Sequence, residues 1–177
     1  MDLHFQKLDV CHVDLGWLEW VKSVDPLSFT EVTARGVTRQ DLIDVINNSS
    51  DSDIWFAVYV TDSSLDTPQY IGNVHLGPID WTSRVCEFGR LIGRKDFRGM
   101  GLGTKLTYMT LNYCFNVLNM NRVKAGCLSI NKAAHRSNLK AGMTHEATLR
   151  SEKFQNGTYH DVYYFGILKS EFLFSSN

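Results

Sequence analysis

Long apolar runs are missing from this chain. Among its 177 residues, no uninterrupted hydrophobic stretch nears the roughly 18 residues that span a bilayer, which argues against a membrane partner. The opening Met1-Asp2-Leu3-His4-Phe5 lacks the basic and apolar regions of a secretory signal, so a cytoplasmic location is expected. No C-x-x-C pair occurs. Cys11, Cys86, Cys114 and Cys127 are scattered singly without paired histidines, so no metal site is expected and buried free thiols are the default. No cluster of Lys and Arg interleaved with aromatics is present, which argues against nucleic acid. Repeats, low-complexity tracts and linkers are also lacking. With 44% hydrophobic residues, the chain suits one domain over 1–177.

What is present is unevenly charged. Residues 1–53 carry ten Asp/Glu and four Lys/Arg, a balance of −6, whereas residues 54–177 carry nine and fourteen, a balance of +5. A basic C-terminal part favours a polyanionic ligand, and an acidic N-terminal part favours a cationic one.

Hydrophobic periodicity divides the chain into alternating elements. Leu3–Val10 reads as a first strand. Leu15, Leu18 and Val21, with Trp17, Trp20 and Val24, recur at helical spacing until Pro26. Thr38-x-x-Asp41 before Leu42, Val45 and Ile46 has the form of a capping box. Ile54–Val60 and Tyr70–Leu76 flank the polar loop Asp62–Gln69, and Arg84–Gly93 is a fourth strand. Leu102, Leu106, Met109, Tyr113 and Val117 form one helical face. Val123–Ile130 is a strand, and Asn131–Ala141 a helix that Gly142 ends. Thr144–Phe154 and Tyr159–Lys169 surround Asn156-Gly157, a hairpin-turn signal. This order predicts an α/β fold with a mixed, mainly antiparallel sheet flanked by helices.

Arg98-Gly99-Met100-Gly101-Leu102-Gly103-Thr104 is the most informative stretch. Its three glycines lie between a strand and a helix start. Missing Cβ atoms let a ligand approach the bare amides, and the helix dipole favours an anion such as a pyrophosphate. A dinucleotide fingerprint needs G-x-G-x-x-G and an acidic residue about 20 positions on. Here the spacing is G-x-G-x-G, and the position in question is Asn119. A Walker loop needs G-K-[ST], whereas Gly103 precedes Thr104 and Lys105.

The R-x-x-G-x-G pattern of Arg98 to Gly103 resembles the acyl-CoA loop of the GNAT superfamily of N-acetyltransferases. Four further pieces match in order. They are Ile71-Gly72-Asn73, Glu87-Phe88-Gly89-Arg90-Leu91-Ile92-Gly93, Asn131 followed by Gly142, and Asn156-Gly157-Thr158-Tyr159-His160-Asp161-Val162. The match covers about 54–169 and is similar to the group holding ribosomal-protein, polyamine and amino-sugar acetyltransferases. The resemblance implies a GNAT fold, with an acetyl-CoA-binding core over 54–169 and acceptor-side helices in 1–53. Acetyl-CoA is the cosubstrate it implies.

Residue by residue, the resemblance implies cofactor contacts at Leu91, Ile92 and Gly93, where the fourth strand splays from the fifth and frees backbone amides. It adds the loop residues Arg98, Gly99, Met100, Gly101, Leu102, Gly103 and Thr104, then Asn131 and Asn138. Asn131 is equally a good helix N-cap. Glu87, within an otherwise apolar segment, is the implied general base, with a solvent-facing strand Glu or a salt bridge to Arg84 or Arg90 as the plainer alternatives. Partial burial would improve its ability to take a proton near neutral pH. Many relatives place at Ser137 or Asn138 a Tyr that protonates the departing thiolate; here Ser137 or a water is the candidate acid. Cys127 is either a core thiol or a neighbour of the base. Asp161, Tyr163 and His160 are candidates for the acceptor border and Trp81 for a ligand platform, against a plainer reading as strand polar groups and core aromatics.

The resulting expectation is transfer of an acetyl group to a small-molecule amine, with neither nucleic acid nor membrane as partner and a homodimer as an open assembly. Segments 72–78 and 124–127 resemble surface-polysaccharide acetyltransferases and favour an amino sugar on a nucleotide. That reading requires some of Lys7, Lys22, Arg35, Arg39, Arg84 and Arg90 beside the Glu87 pocket. A polyamine, a protein N-terminus, or a silent acyl-CoA-binding module are the alternatives.

Overall fold

The computed structural model describes residues 1–23, 36–155 and 157–172. Val24, Pro26, Arg35 and the Asn156 half of the hairpin turn lie outside the described residues. Seven strands form one sheet: β1 (Asp2–Lys7), β2 (Ile54–Thr61), β3 (Gln69–Asp80), β4 (Val85–Ile92), β5 (Arg122–Leu128), β6 (Thr144–Gln155) and β7 (Thr158–Leu168). Their spatial order is β1-β2-β3-β4-β5-β7-β6. All neighbours are antiparallel except β4 and β5, which run parallel. The helices are α1 (Leu18–Lys22), α2 (Arg39–Asn47), α3 (Leu102–Asn112) and α4 (Lys132–Lys140). This is the mixed, mainly antiparallel α/β sheet flanked by helices that the order of elements predicts.

Several predicted boundaries shift. β1 ends at Lys7 instead of Val10. The first helix is a π turn, Val13–Trp17, running into a short α1, with a break at Gly16. The long helix after the glycine loop likewise passes into a π turn at Tyr113–Val117. The capping box is present: Thr38 Oγ1 accepts from the Asp41 amide at 3.2 Å, and the Thr38 amide donates to the Asp41 carboxylate at 2.7 Å.

Side-chain alternation gives the sheet two different faces. One carries Val58, Val74, Leu76, Cys86, Phe88, Val123, Ala125 and Phe165 and is covered by α3 through Leu102, Leu106 and Leu111 and by α4 through Ala134. The other carries Ala57 and Tyr70 and is covered by α1 and α2 through Trp17, Val21 and Leu42. Among the described residues, no helix is long and apolar enough to cross a membrane. Cys86, Cys114 and Cys127 are buried free thiols, as expected, whereas Cys11 is exposed.

Between Val58 and Tyr59 the β2–β3 register slips by one, which leaves Ile71 as an extra residue of β3. Its carbonyl accepts from two amides beyond β4, Gly93 at 2.8 Å and Arg94 at 3.2 Å. Gly72 allows the strands this approach, because a Cβ there would lie 1.9 Å from the Leu91 carbonyl oxygen. The obstacle is backbone and cannot swing away. Gly72→Ala should therefore cost at least about 2 kcal/mol, as overpacking does. Urea denaturation would measure it, and an unchanged midpoint would contradict this packing.

Candidate functional site

Parallel pairing of β4 with β5 stops early. Val85 to Phe88 pair with Arg122 to Ala125, and Phe88 opposite Ala125 is the last pair. Beyond it the strands separate. Alternation decides which amides face the gap. The Gly93 amide donates to Ile71 on β3, so Leu91 and Gly93 turn towards β3, whereas Arg90 and Ile92 turn towards the gap. The predicted set of Leu91, Ile92 and Gly93 is thus corrected. Ile92 keeps a gap-facing amide, Arg90 adds one, and the Gly93 amide is already occupied.

The glycine loop lies at the open end of this gap. Gly99 and Gly101 hold φ of 79° and 78°, the left-handed region that favours glycine. α3 starts at Leu102, and its first-turn amides point outward from the dipole's positive end. Among the described residues, the Met100, Gly101, Leu102 and Gly103 amides meet no protein acceptor, whereas Thr104 donates to the Gly101 carbonyl at 3.0 Å. Met100 is exposed and Leu102 is buried in the core. Arg98 Nε donates to the Ile92 carbonyl at 2.8 Å, and its terminal nitrogen to the Gly93 carbonyl at 3.4 Å. Arg98 therefore ties the loop to the end of β4. Asn131 caps α4, its side-chain oxygen accepting from the Ala134 amide at 2.9 Å.

Glu87 lies on the face covered by α1 and α2, opposite in direction to Cys86 and Phe88. Its carboxylate stands 3.8 Å from Lys124 Nζ with about 30% exposure. The apolar surroundings expected from its strand neighbours are on the other face, and the partner is Lys124, not Arg84 or Arg90. Tyr164, opposite Gly126 on β7, shares the Glu87 face. Burial raises its pKa, and the negative charges of Glu87 and Glu152 raise it further.

Along the same face runs a row that the sequence reading missed. Trp55 pairs with His75, and His75 with Gly89, two residues from Glu87. That diagonal is about 7–8 Å between backbone positions. The His75 and Trp55 rings stack at 4.3 Å, and His75 Nε2 bonds the Asp53 carboxylate. Gly77 makes room for this pair: a Cβ there would lie 2.8 Å from both. A cavity of about 320 Å³ opens here, lined by Asp41, Asp44, Val45, Asn48, Asp53, Trp55 and His75. The Thr38 hydroxyl and amide hold the Asp41 carboxyl below its usual range, so it carries its charge. The cavity lining includes no Lys or Arg. Arg39 is occupied by Asp14 at 2.6 Å. The hairpin register of β2 and β3 would have revealed the Trp55–His75 pair, whereas no local pattern announces that α2 closes over it.

Other candidates lie apart from this row. The Ser137 hydroxyl donates back to the helix carbonyls of Ala133 and Ala134 at 3.0 and 3.1 Å and accepts from Arg90 at 2.5 Å, so its hydrogen is committed within α4. Asn138 is buried at 1% exposure, and neither its amide oxygen nor its nitrogen has a partner. Cys127 is on the α3/α4 face, away from Glu87, and burial pushes its thiol up to about 11. Trp81 is in the β3–β4 turn, at the far end of β4 from the loop. Asp161 braces the β6 bulge by accepting from the Ser151 amide at 2.9 Å. Tyr163 packs against His135 and His145, and His160 pairs with Lys153.

A sequence model of the acetyltransferase (GNAT) domain matches residues 15–144. The uncharacterized N-acetyltransferase YoaA of Bacillus subtilis is 30% identical over 104 residues, 59% of this chain and 58% of YoaA. The spermidine N(1)-acetyltransferase of Vibrio cholerae is 32% identical over 103 residues, 58% of this chain and 59% of that enzyme. The chain thus spans less than two thirds of the length of either relative. A solved chimera of the Vibrio cholerae spermidine N-acetyltransferase SpeG superposes with a TM-score of 0.81 at 24% identity, covering 97% of this chain and 98% of the other, a likeness of fold.

The loop geometry predicts opposite outcomes for two similar substitutions. Gly101→Ala should cost about 1–2 kcal/mol, because a side chain disfavours the left-handed conformation. Gly103 is helical, and its nearest obstacle to a Cβ is Ser137 Oγ at 3.8 Å. Gly103→Ala should therefore be neutral or stabilising by up to about 1 kcal/mol. Urea midpoints that rank the two variants the other way would contradict the geometry.

Proposed function

The chain belongs to the GNAT acetyltransferase family, and from that premise we propose that it moves an acetyl group from acetyl-CoA to a small cationic amine of the polyamine class. The acidic, aromatic cavity on the Glu87 face of the sheet carries this reading. Asp41 and Asp44 suit a distal ammonium, and the stacked Trp55 and His75 rings wall the cavity. The reacting amine would lie one short alkyl spacer away, at Glu87. Lys124 beside it disfavours a second positive charge and so favours the free-base amine that can attack. The acidic balance of residues 1–53 and the likeness to a spermidine acetyltransferase support the same acceptor class. A nucleotide-linked amino sugar brings a diphosphate, for which this cavity offers no cation.

The residues present fit acetyl-CoA. The outward amides of Met100 to Gly103 suit the pyrophosphate, with the α3 dipole behind them. The gap beyond Phe88 and Ala125 suits the extended pantetheine arm, and the amides of Arg90 and Ile92 suit the thioester oxygen. Glu87 accepts the proton of the attacking amine. With the Ser137 hydroxyl committed within α4, solvent protonates the thiolate, which is already a tolerable leaving group.

A panel of amines tests the proposal. Spermidine and related diamines should release free CoA from acetyl-CoA, whereas a nucleotide amino sugar should not. A silent acyl-CoA-binding module would release none with any amine. Glu87→Gln should lower turnover by about 10²–10⁴-fold, the range for loss of a general base. Its acetyl-CoA affinity should stay unchanged. Near-normal turnover at every pH would move the base elsewhere. Asp44→Asn should raise KM for the diamine by about two- to fivefold, the scale of an exposed charge pair. That effect should shrink in high salt through screening. An unchanged KM at low salt would remove the cavity from the acceptor site.

A further inference from the structure

Among the described residues, Arg90 is without the carboxylate partner that three other arginines hold. Arg39 pairs with Asp14, Arg94 with Asp96 and Arg122 with Glu146. Among the described residues, Arg90 meets no carboxylate. Its guanidinium donates to Ser137 Oγ at 2.5 Å and to the Ala134 carbonyl at 3.4 Å, and lies 5.5 Å from the centre of the Phe88 ring. These partners are neutral. Burial of the charged end pushes the Arg90 pKa down to about 10, which leaves it a cation at neutral pH. A half-buried cation that meets only neutral groups is costly to a fold, and an arginine kept for packing alone would be better replaced by an apolar residue.

Its place in the fold is specific. Arg90 is two residues beyond Phe88 on β4, and Cys127 two beyond Ala125 on β5, so the two face each other across the mouth of the gap. The burial-raised pKa of Cys127 keeps its thiol protonated, so it supplies no charge. Asn138 follows Ser137 on α4, four residues beyond Ala134 and three before Ala141, both of which pack into the core. Its buried amide, with neither atom partnered, therefore faces the same layer as the Arg90 guanidinium. One cation, one hydroxyl and one unsatisfied amide thus share the layer between α4 and β4.

We propose that this gap accepts acyl-CoA donors whose acyl chain ends in a carboxylate, such as a succinyl thioester, with Arg90 binding that carboxylate and Asn138 completing its hydrogen bonds. This rests on the gap being the acyl-CoA site. The Arg90 amide that suits the thioester oxygen and the guanidinium that suits the carboxylate belong to one residue. The two ends of the acyl group are therefore held within one side chain's length, as a short dicarboxylic chain requires. The chemistry of transfer is unchanged. The amine nitrogen forms a bond to the thioester carbon, the carbon–sulfur bond breaks with its electron pair leaving on the CoA sulfur, and Glu87 takes the amine proton. The distal carboxylate passes intact into the amide product.

Calorimetric titration of the full chain with succinyl-CoA and with acetyl-CoA tests this without turnover. The wild-type protein should bind succinyl-CoA at least about tenfold more tightly, as expected for hydrogen bonds to a charged group. Arg90→Met, which keeps length and removes charge, should bind both esters alike, and Arg90→Lys should keep part of the preference. Wild-type affinities within about twofold of each other would overturn the proposal while leaving the acyl-CoA site intact. A preference retained in Arg90→Met would overturn it too. Binding of neither ester would overturn the acyl-CoA site itself and this inference with it. If Arg90→Met does not fold, the wild-type ratio decides alone.

Discussion

Two hydrogen bonds at one carbonyl set the shape of this molecule's working region. Ile71 is the extra residue where β2 and β3 slip register, and its oxygen accepts from both Gly93 and Arg94. β4 is thereby held to β3 after it has parted from β5. A strand can give its outward amides to only one neighbour on each side, so the parting leaves Arg90 and Ile92 with groups directed into a gap. Arg98 strengthens the same arrangement by gripping the Ile92 and Gly93 carbonyls from the loop that follows. Hydrogen bonds thus join the gap to the loop that leads into α3. Outward amides would be a burden in a purely structural sheet; on the proposed reading they serve the thioester.

The two faces of the sheet divide the chemistry. The α3/α4 face carries the apolar core together with Arg90, Ser137, Asn138 and Cys127. The α1/α2 face carries Glu87, Lys124, His75, Trp55 and the three aspartates of the cavity. On the proposed reading, a donor entering the gap edge-on would touch both faces, and an amine from the acidic side would meet it at Glu87. Trp20 joins the acceptor side to the gap, since its ring lies where a Cβ on Gly93 would fall, at 1.9 Å.

Much of this was legible in the residues. The glycine spacing, the capping box at Thr38 and Asp41, and the alternation of strands all report local preferences that the fold respects. Gly142 closing α4 at a φ of 91° is another example. What was not legible depended on partners distant in sequence. Glu87 looked like a carboxylate in an apolar strand, because Cys86 and Phe88 flank it, yet strand alternation turns it to the other face, where Lys124 waits. Leu91 and Gly93 looked like free amides until the Ile71 bulge fixed which amides are spent on β3. Ser137 looked like an available hydroxyl, but its hydrogen is held by its own helix. The cavity needs α2 to close over the β2–β3 hairpin, and no local pattern in either segment states that.

Amide hydrogen exchange with and without CoA tests the unpaired gap most directly. CoA should slow exchange at Arg90 and Ile92 and at Met100 to Gly103, while leaving Leu91 and Gly93, already bonded to β3, nearly unchanged. Protection that leaves Arg90, Ile92 and the loop untouched would contradict the account, because the ligand would then sit elsewhere on the sheet.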